Sequence, residues 1–283
     1  MKMLNISKAY SKVRLVARGK PLYKNPLHIH TLAKLEILTR AASHLAFLSV
    51  QLLALSEARG GNIYQGEVRF APGSAPALLR VITPLAKAVT AKLSLAVISE
   101  SAEALGGVGY LENEEPLNIA RLLRDAQVLT IWEGTTNVLV TDLVATLTRT
   151  TPNPEDQSIS VFNEWVRENL TNYTRGGSGH ADGVLEQCKV SIWGEWEKMK
   201  KKLENGSREE LTGAGRKILW QMSWVVIGVL LLVDARLDPE PSAVEVARRW
   251  VFEGFLHDRA NTSKDRAADA EIVFPNEMRR TKL

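Results

Sequence analysis

Apolar residues in this chain recur at the spacing of α-helices, and this periodicity constrains the fold more than any other feature. Between His28 and Ala58 they recur every three or four positions, without an internal Pro or Gly. Such spacing places them on one face of a helix. Strands would need alternation at every second residue, and no convincing run of that kind is present. The pattern predicts a long amphipathic helix that starts near Thr31 and ends at Gly60-Gly61.

The rest of the chain follows the same pattern and predicts an all-α fold. A second long helix is expected from about Ala77 to Leu105, with Pro84 as a kink or as a boundary between two helices. The third helix begins near Thr136-Asn137. Further helical segments are predicted near residues 158–172, 181–204, 208–235 and 242–257.

A linker divides these helices into two groups. The segment Thr151 to Asp156 contains two prolines and is the clearest linker in the sequence. The predicted organisation is therefore a helical domain at residues 1–150 followed by a second helical domain at residues 151–283. A glycine-rich loop at residues 175–180 lies within the second domain.

Composition narrows the class of protein. The 283 residues are 45% hydrophobic and 24% charged, as in an ordinary soluble globular protein. The lone Cys188 excludes a disulfide framework within the chain and a cysteine-based zinc site, and it favours a reducing compartment, cytoplasmic or mitochondrial. The apolar run Ile218 to Val233 is only 16 residues long, so a buried helix is expected and no membrane span. The histidines lack a matching cluster of ligands, so no metal site is expected.

Positive charge is concentrated at the start of the chain. Residues 1–40 contain nine Lys or Arg and one acid, Glu36, whereas residues 151–283 contain 19 basic and 21 acidic residues. The basic segment could meet the phosphates of a cofactor or of a nucleic acid, or it could form a solvated face. It also imitates a mitochondrial transit peptide, which is the weaker interpretation. The net charge of −2 in residues 151–283 argues against a strong positive field there that would attract the phosphates of a nucleic acid.

Three short motifs could carry chemistry, although each has an ordinary structural explanation. The glycine cluster in Leu105-Gly-Gly-Val-Gly-Tyr-Leu-Glu112 allows close approach of a ligand, but a helix end explains it as well. Arg121-Leu-Leu-Arg-Asp125 is explained by an ion pair on a helix. The motif Ile131-Trp-Glu-Gly-Thr-Thr-Asn137 places a carboxylate, a candidate proton-abstracting base, before polar residues suited to capping a helix.

The order of these motifs within about 35 residues resembles the carboxy-terminal domain of acyl-CoA dehydrogenases, which is like a four-helix bundle. The segment Ala9-Tyr-Ser-Lys-Val-Arg14, followed by Pro26-Leu27, resembles the opening of that domain, so the resemblance covers residues 5–150. Within this family, three features favour the AidB-like branch, which is related to a bacterial alkylation-response protein. They are the motif Glu103-Ala-Leu-Gly-Gly107, the Ile131-Trp-Glu-Gly core and the long helical extension.

The resemblance implies a flavin enzyme that dehydrogenates an acyl-CoA between its α- and β-carbons. Glu133 matches the base that removes the α-proton while the β-hydride passes to FAD. The residues matched to FAD binding form two sets, one around this glutamate and one on the segment that contacts the FAD of a neighbouring subunit. A basic residue that reaches the FAD pyrophosphate is matched by Arg14, with Lys12 or Arg18 as alternatives. The cofactor-binding residues implied are Arg14, Gly106, Gly107, Gly109, Trp132, Thr135 and Asn137.

The resemblance also implies partners and an alternative. A flavin shared between subunits requires a homo-oligomer, a dimer or tetramer. The family places a helical domain and a β-domain before this one, and neither is present upstream of Tyr10, so a truncated form with weak or no activity is expected. The alternative is a non-catalytic AidB-like protein that binds DNA or a fatty acyl ligand.

Overall fold

The computed structural model describes residues 1–58, 67–112, 118–153, 156–171, 180–237, 240–253, 268 and 270–274. This part of the chain is helical throughout apart from its connecting segments and one very short hairpin, so the predicted all-α fold is confirmed. The hairpin pairs Leu15–Val16 (β1) with Lys20–Pro21 (β2) in antiparallel fashion. The helices are α1 (Lys2–Val13), α2 (Pro26–Glu57), α3 (Ala75–Glu103), α4 (Ile119–Val128), α5 (Thr136–Leu147), α6 (Ser158–Thr171), α7 (His180–Asn205), α8 (Arg208–Gly213), α9 (Gly215–Leu237) and α10 (Pro241–Phe252).

The first long helix begins earlier than predicted. Asn25 caps α2, because its Oδ1 accepts a hydrogen bond from the backbone N–H of Leu27 at 3.0 Å. Pro26 occupies the first position of the helix, where the missing N–H costs no hydrogen bond. Thr31, the predicted start, lies within the helix and donates its hydroxyl to the carbonyl of Leu27. The predicted end at Gly60-Gly61 lies outside the described residues.

The second long helix, α3, runs through Pro84 without a break. Its buried residues follow helical spacing, so one face of the helix remains covered on both sides of the proline. Of the two predicted outcomes for Pro84, the boundary between two helices is therefore wrong. The fully buried apolar residues of this face are Leu78, Val81, Ile82, Leu85, Val89 and Leu93.

One hydrophobic cluster unites residues from both predicted domains. Helix α9 packs against α2, α3 and α5, and α6 packs against α3. The buried run Ile218 to Val233 forms most of α9, so the expectation of a buried helix is confirmed. The two predicted domains share this cluster, and the boundary at residue 150 stays a prediction. The glycine-rich loop and part of the linker, residues 154–155 and 172–179, lie outside the described residues.

The predicted single helix over residues 208–235 is two helices, α8 and α9, divided at Ala214. Gly215 explains the close packing after the break. A Cβ added there would lie 2.2 Å from Cγ1 of Val140, so only glycine lets the start of α9 approach α5 this closely.

A polar contact also joins the two halves of the chain. Nε2 of His44 in α2 lies 3.5 Å from Oδ2 of Asp234 in α9. The hydrogen bond with His44 lowers the pKa of the half-buried Asp234 carboxyl from its usual value. The pair therefore supports the packing of α9 on α2 at neutral pH.

Within the described ranges, three helices are long and apolar enough to cross a membrane by length and composition: α2, α3 and α9. The expectation of no membrane span rests on the apolar run of α9 alone. The lengths and hydropathies of these three helices do not support that expectation. Within the fold, 78% of the most apolar window of α9 is buried, compared with 39% for α2.

We expect Gly215→Ala to destabilise the protein by about 1–3 kcal/mol, because the added methyl group must displace Val140. Gly194→Ala in α7 is the matched control, since a Cβ there meets nothing within 4 Å and alanine favours a helix by about 1 kcal/mol. Urea unfolding measures both. Equal midpoints for the two variants would show that α9 does not approach α5 as described.

Candidate functional site

Glu133 lies in the short turn that connects α4 to α5, as the motif order predicts. Its φ of 50° is in the left-handed region, and Gly134 follows with a φ of 98°. A side chain in this region is strained by about 1–2 kcal/mol, so the turn presents Glu133 at a conformational cost. The carboxylate is exposed, and Trp132 beside it is 54% exposed.

The start of α5 carries the predicted polar residues. Thr135 occupies the N-cap position, but its hydroxyl makes no capping hydrogen bond. Asn137 lies in the first turn of the helix, where its Oδ1 accepts a hydrogen bond of 2.8 Å from Nε of Arg216. From the other side, Nζ of Lys87 in α3 donates to the carbonyl oxygen of Gly134. Two cations therefore flank the turn that holds Glu133.

The glycine cluster lies at the carboxy-terminal end of α3, again as predicted. Gly106 has a φ of 65°, and Gly106–Gly109 forms a 3-10 helix. Gly109 is required for packing, because a Cβ there would lie 2.0 Å from the carbonyl oxygen of Ala102. At Gly106 and Gly107, by contrast, a Cβ would meet nothing within 4 Å. These two glycines therefore expose backbone to open space.

A cavity of about 620 Å³ brings Arg14 together with Gly106 and Gly107. Of the three basic residues considered for the cofactor phosphate, only Arg14 lines it. Lys12 instead lies over the ring of Phe274, 4.5 Å from its centroid. Arg18 lies at the tip of the hairpin between β1 and β2, with a φ of 63°.

His28 in the first turn of α2 also lines the cavity. Its Nε2 is buried and has no hydrogen-bond partner among the described residues. Burial lowers the pKa of the His28 imidazole. Glu100 and Glu103 line the same cavity, so two carboxylates face the one guanidinium of Arg14.

The predicted site residues fall into two groups along α3. The group around Glu133 contacts α3 at Lys87, and the group around Gly106 lies just beyond Glu103, where the helix ends. At 1.5 Å per residue, these points are about 24 Å apart along the helix. Gly106 and Gly107 of the second group line the cavity with Arg14, whereas Gly109, Glu133, Trp132, Thr135 and Asn137 do not.

Other motif residues have structural roles. Nε of Arg121 lies 3.4 Å from Oδ2 of Asp125, which agrees with the expected ion pair on one helical face. Among the residues that the structure describes, no group of three or more His, Cys, Asp or Glu side chains is placed to hold a metal ion.

Three residues of this region were not predicted as site residues: Lys87, His28 and Arg216. Lys87 lies within the predicted second long helix, but the sequence does not show that its side chain reaches Gly134. Arg216 is 79 positions from Asn137, and no local pattern relates the two. Only the packing of α9 on α5 brings them together.

The chain belongs to the acyl-CoA dehydrogenase family. Residues 1–148, slightly more than half of the chain, match the family's profile for the acyl-CoA dehydrogenase carboxy-terminal domain. The resemblance inferred from the motifs of residues 5–150 is therefore confirmed.

Two curated relatives cover different parts of the chain. The sequence is 31% identical over 287 residues to acyl-CoA dehydrogenase family member 11 of Caenorhabditis elegans, covering 97% of this chain and 42% of that protein. It is 32% identical over 131 residues to the putative acyl-CoA dehydrogenase AidB of Escherichia coli, covering 46% of this chain and 21% of that protein. The likeness to AidB is confirmed, and the extension is matched by the nematode protein.

A solved structure supports the same grouping. The crystal structure of Caenorhabditis elegans ACDH-11 in complex with C11-CoA superposes with a TM-score of 0.75 at 31% identity. The superposition covers 98% of this chain and 44% of that one. The chain thus spans less than half the length of the relatives that it matches.

The strained turn leads to a prediction about stability. Glu133→Gly removes a left-handed cost of about 1–2 kcal/mol and adds a backbone entropy cost of about 0.5–1 kcal/mol, so we expect a gain of roughly 0.5–1 kcal/mol. Glu133→Gln keeps the side-chain strain and serves as the control, with unchanged stability. Thermal unfolding compares the two. A destabilised Glu133→Gly variant would show that the glutamate supports the fold.

Proposed function

We propose that this chain forms the flavin-facing helical part of an FAD-dependent acyl-CoA dehydrogenase that introduces a double bond between the α- and β-carbons of an acyl thioester. The observation that carries the proposal is the position of Glu133. The family's glutamate motif stands on an exposed, strained turn between α4 and α5, where a carboxylate can reach a substrate. Strain of this kind is concentrated at functional sites.

The residues present fit an FAD molecule. The open space beside Gly106 and Gly107 lets a ligand approach their backbone closely, and a side chain at either position would occupy that space. Arg14 brings a guanidinium to the same cavity, and guanidinium groups bind phosphates in bidentate fashion. Arg14, Gly106 and Gly107 would therefore hold the pyrophosphate part of the cofactor, while Gly109 keeps the end of α3 in place.

At the other group, each residue has a separate role. Glu133 takes the α-proton of the acyl thioester as a general base. The Thr135 hydroxyl, which makes no capping bond, and the Asn137 amide are available to donate to a second cofactor molecule, and Trp132 covers the edge of its site. The chemistry that FAD supplies when bound is acceptance of the β-hydride.

The separation of the two groups favours a homo-oligomer. A distance of about 24 Å along α3 places Arg14 and the glycines away from Glu133 within one chain. Each group then belongs to a different flavin site, and a complete site combines the Glu133 group of one copy with the glycine group of another. A dimer is the smallest assembly that satisfies this arrangement.

The proposed ligand class is an acyl-CoA. The related ACDH-11 structure, at 31% identity, contains C11-CoA, which supports a thioester with a long acyl chain as the ligand of this part of the fold. The exposed apolar side chains beside Glu133 agree with an acyl ligand, since Ile131 and Val138 are more than half exposed. Binding of an acyl ligand without catalysis is the alternative that a test of Glu133 distinguishes.

We expect the purified chain of 283 residues to retain little FAD and to show no measurable dehydrogenation of an acyl-CoA. Its described residues include no β-domain to hold the other face of the flavin ring. The absorption spectrum after gel filtration measures retention. A yellow, stoichiometrically loaded preparation that bleaches when acyl-CoA is added would contradict this expectation.

The base role of Glu133 is testable in a chimaera that adds the part of the Caenorhabditis elegans relative which this chain does not span. Glu133→Gln should lower kcat by about 10²–10⁴-fold while bound flavin is kept, because glutamine preserves size but cannot accept the proton. Glu209→Gln, on the exposed surface of α8, is the matched control. Unchanged activity in Glu133→Gln would reject the base, and loss of flavin would assign it a structural role.

A further inference from the structure

Arg216 connects the extension to the candidate site. It lies in the first turn of α9, outside the residues that match the family's carboxy-terminal domain. Its Nε donates a hydrogen bond of 2.8 Å to Oδ1 of Asn137, four residues after Glu133. A hydrogen bond from a guanidinium is stronger and more directional than one between neutral groups.

The position of Arg216 is fixed by packing. The preceding residue, Gly215, is buried against Val140 so closely that no side chain fits between α9 and α5. The following residues Ile218 and Leu219 are completely buried. The apolar body of α9 therefore fixes the backbone of Arg216 at the head of α5, from where its exposed side chain reaches Asn137.

The bond to Arg216 decides how the Asn137 amide is oriented. A carboxamide offers one acceptor oxygen and one donor NH₂ group, and the site can use only the end that faces it. Because Arg216 can only donate, it selects the rotamer in which Oδ1 points to α9. In the part of the chain that the structure describes, Nδ2 of Asn137 donates no hydrogen bond, so its N–H groups remain for a ligand.

We propose that Arg216 is a positioning residue of the flavin site: it orients Asn137 so that Nδ2 donates to an acceptor oxygen of the bound FAD. The inference rests on the proposed function. It makes the extension part of the cofactor site, since the residue that orients Asn137 lies 79 positions further along the chain.

A double-mutant cycle tests the proposal. FAD is titrated to millimolar concentration into the full chain, and binding is measured from the backbone amide signals of residues 134–138 in NMR spectra. Asn137→Ala and Arg216→Met should each weaken binding about fivefold, the effect of one hydrogen bond. Because Arg216 acts through Asn137, the double variant should bind no more weakly than Asn137→Ala alone. Arg216→Lys should restore part of the affinity, since an ammonium also donates to Oδ1.

Lys217→Met is the matched control, since it removes one exposed cation from the same turn of α9 and should leave binding unchanged. The side-chain amide signals of Asn137 provide a second readout. In Arg216→Met they should change before any FAD is added, while the melting temperature stays the same.

Three outcomes would overturn the proposal. Additive effects of the two substitutions would mean that Arg216 contacts the cofactor directly. Undiminished binding in either single variant, with amide shifts intact, would remove Arg216 from the site and leave the base role of Glu133 untouched. If FAD shifted no amide of residues 134–138 or 106–107 in the unmodified chain, flavin binding by this chain would be rejected, and the positioning role of Arg216 with it.

Discussion

The packing of α3 is the constraint on which the rest of the structure depends. This helix contacts α1, α2, α4, α5, α6 and α9, and its buried face continues through Pro84. Removing such a face from water supplies most of the stability of a helical protein, because isolated helices are marginal. Both candidate site groups are positioned by this one helix. The turn of Glu133 contacts it at Lys87, near its middle, and Gly106 lies just beyond its end. Their separation is therefore fixed by the length of the helix.

The candidate site contains a backbone conformation and exposed apolar side chains that lower the stability of the fold. Glu133 adopts a left-handed conformation that glycine would adopt at lower cost, and it lies among exposed apolar side chains. Natural proteins accept such local costs where a side chain must be presented in one orientation. Here the cost is small beside the free energy of the surrounding packing, so the turn can be held by its neighbours α4 and α5.

The extension is joined to the family's domain by contacts that leave little room for movement. The close approach of Gly215 to Val140, the pair of His44 with Asp234, and the hydrogen bond of Arg216 to Asn137 all involve α9. The likeness to the nematode relative extends over this region, whereas the likeness to AidB covers less than half of the chain. The extension therefore packs as part of the same hydrophobic core and is not a separate attached segment.

The sequence by itself determined the long helices and the local place of each motif, but it predicted neither α1 nor the break between α8 and α9. Periodic apolar residues gave α2, α3 and α9, and turn-forming residues placed Glu133 between helices and Gly106 after one, because these properties depend on neighbours in the chain. The predicted start of α2 at Thr31 is wrong, since a threonine and the Asn25-Pro26 pair are both plausible starts when only local preference is considered. Tertiary structure alone decided that Arg14 and Gly106 line one cavity, that the turn holding Glu133 contacts α3 at Lys87, and that Arg216 reaches Asn137. Those contacts join residues 47 or more positions apart, and their geometry follows from how apolar helix faces are buried together, which no short stretch of sequence encodes.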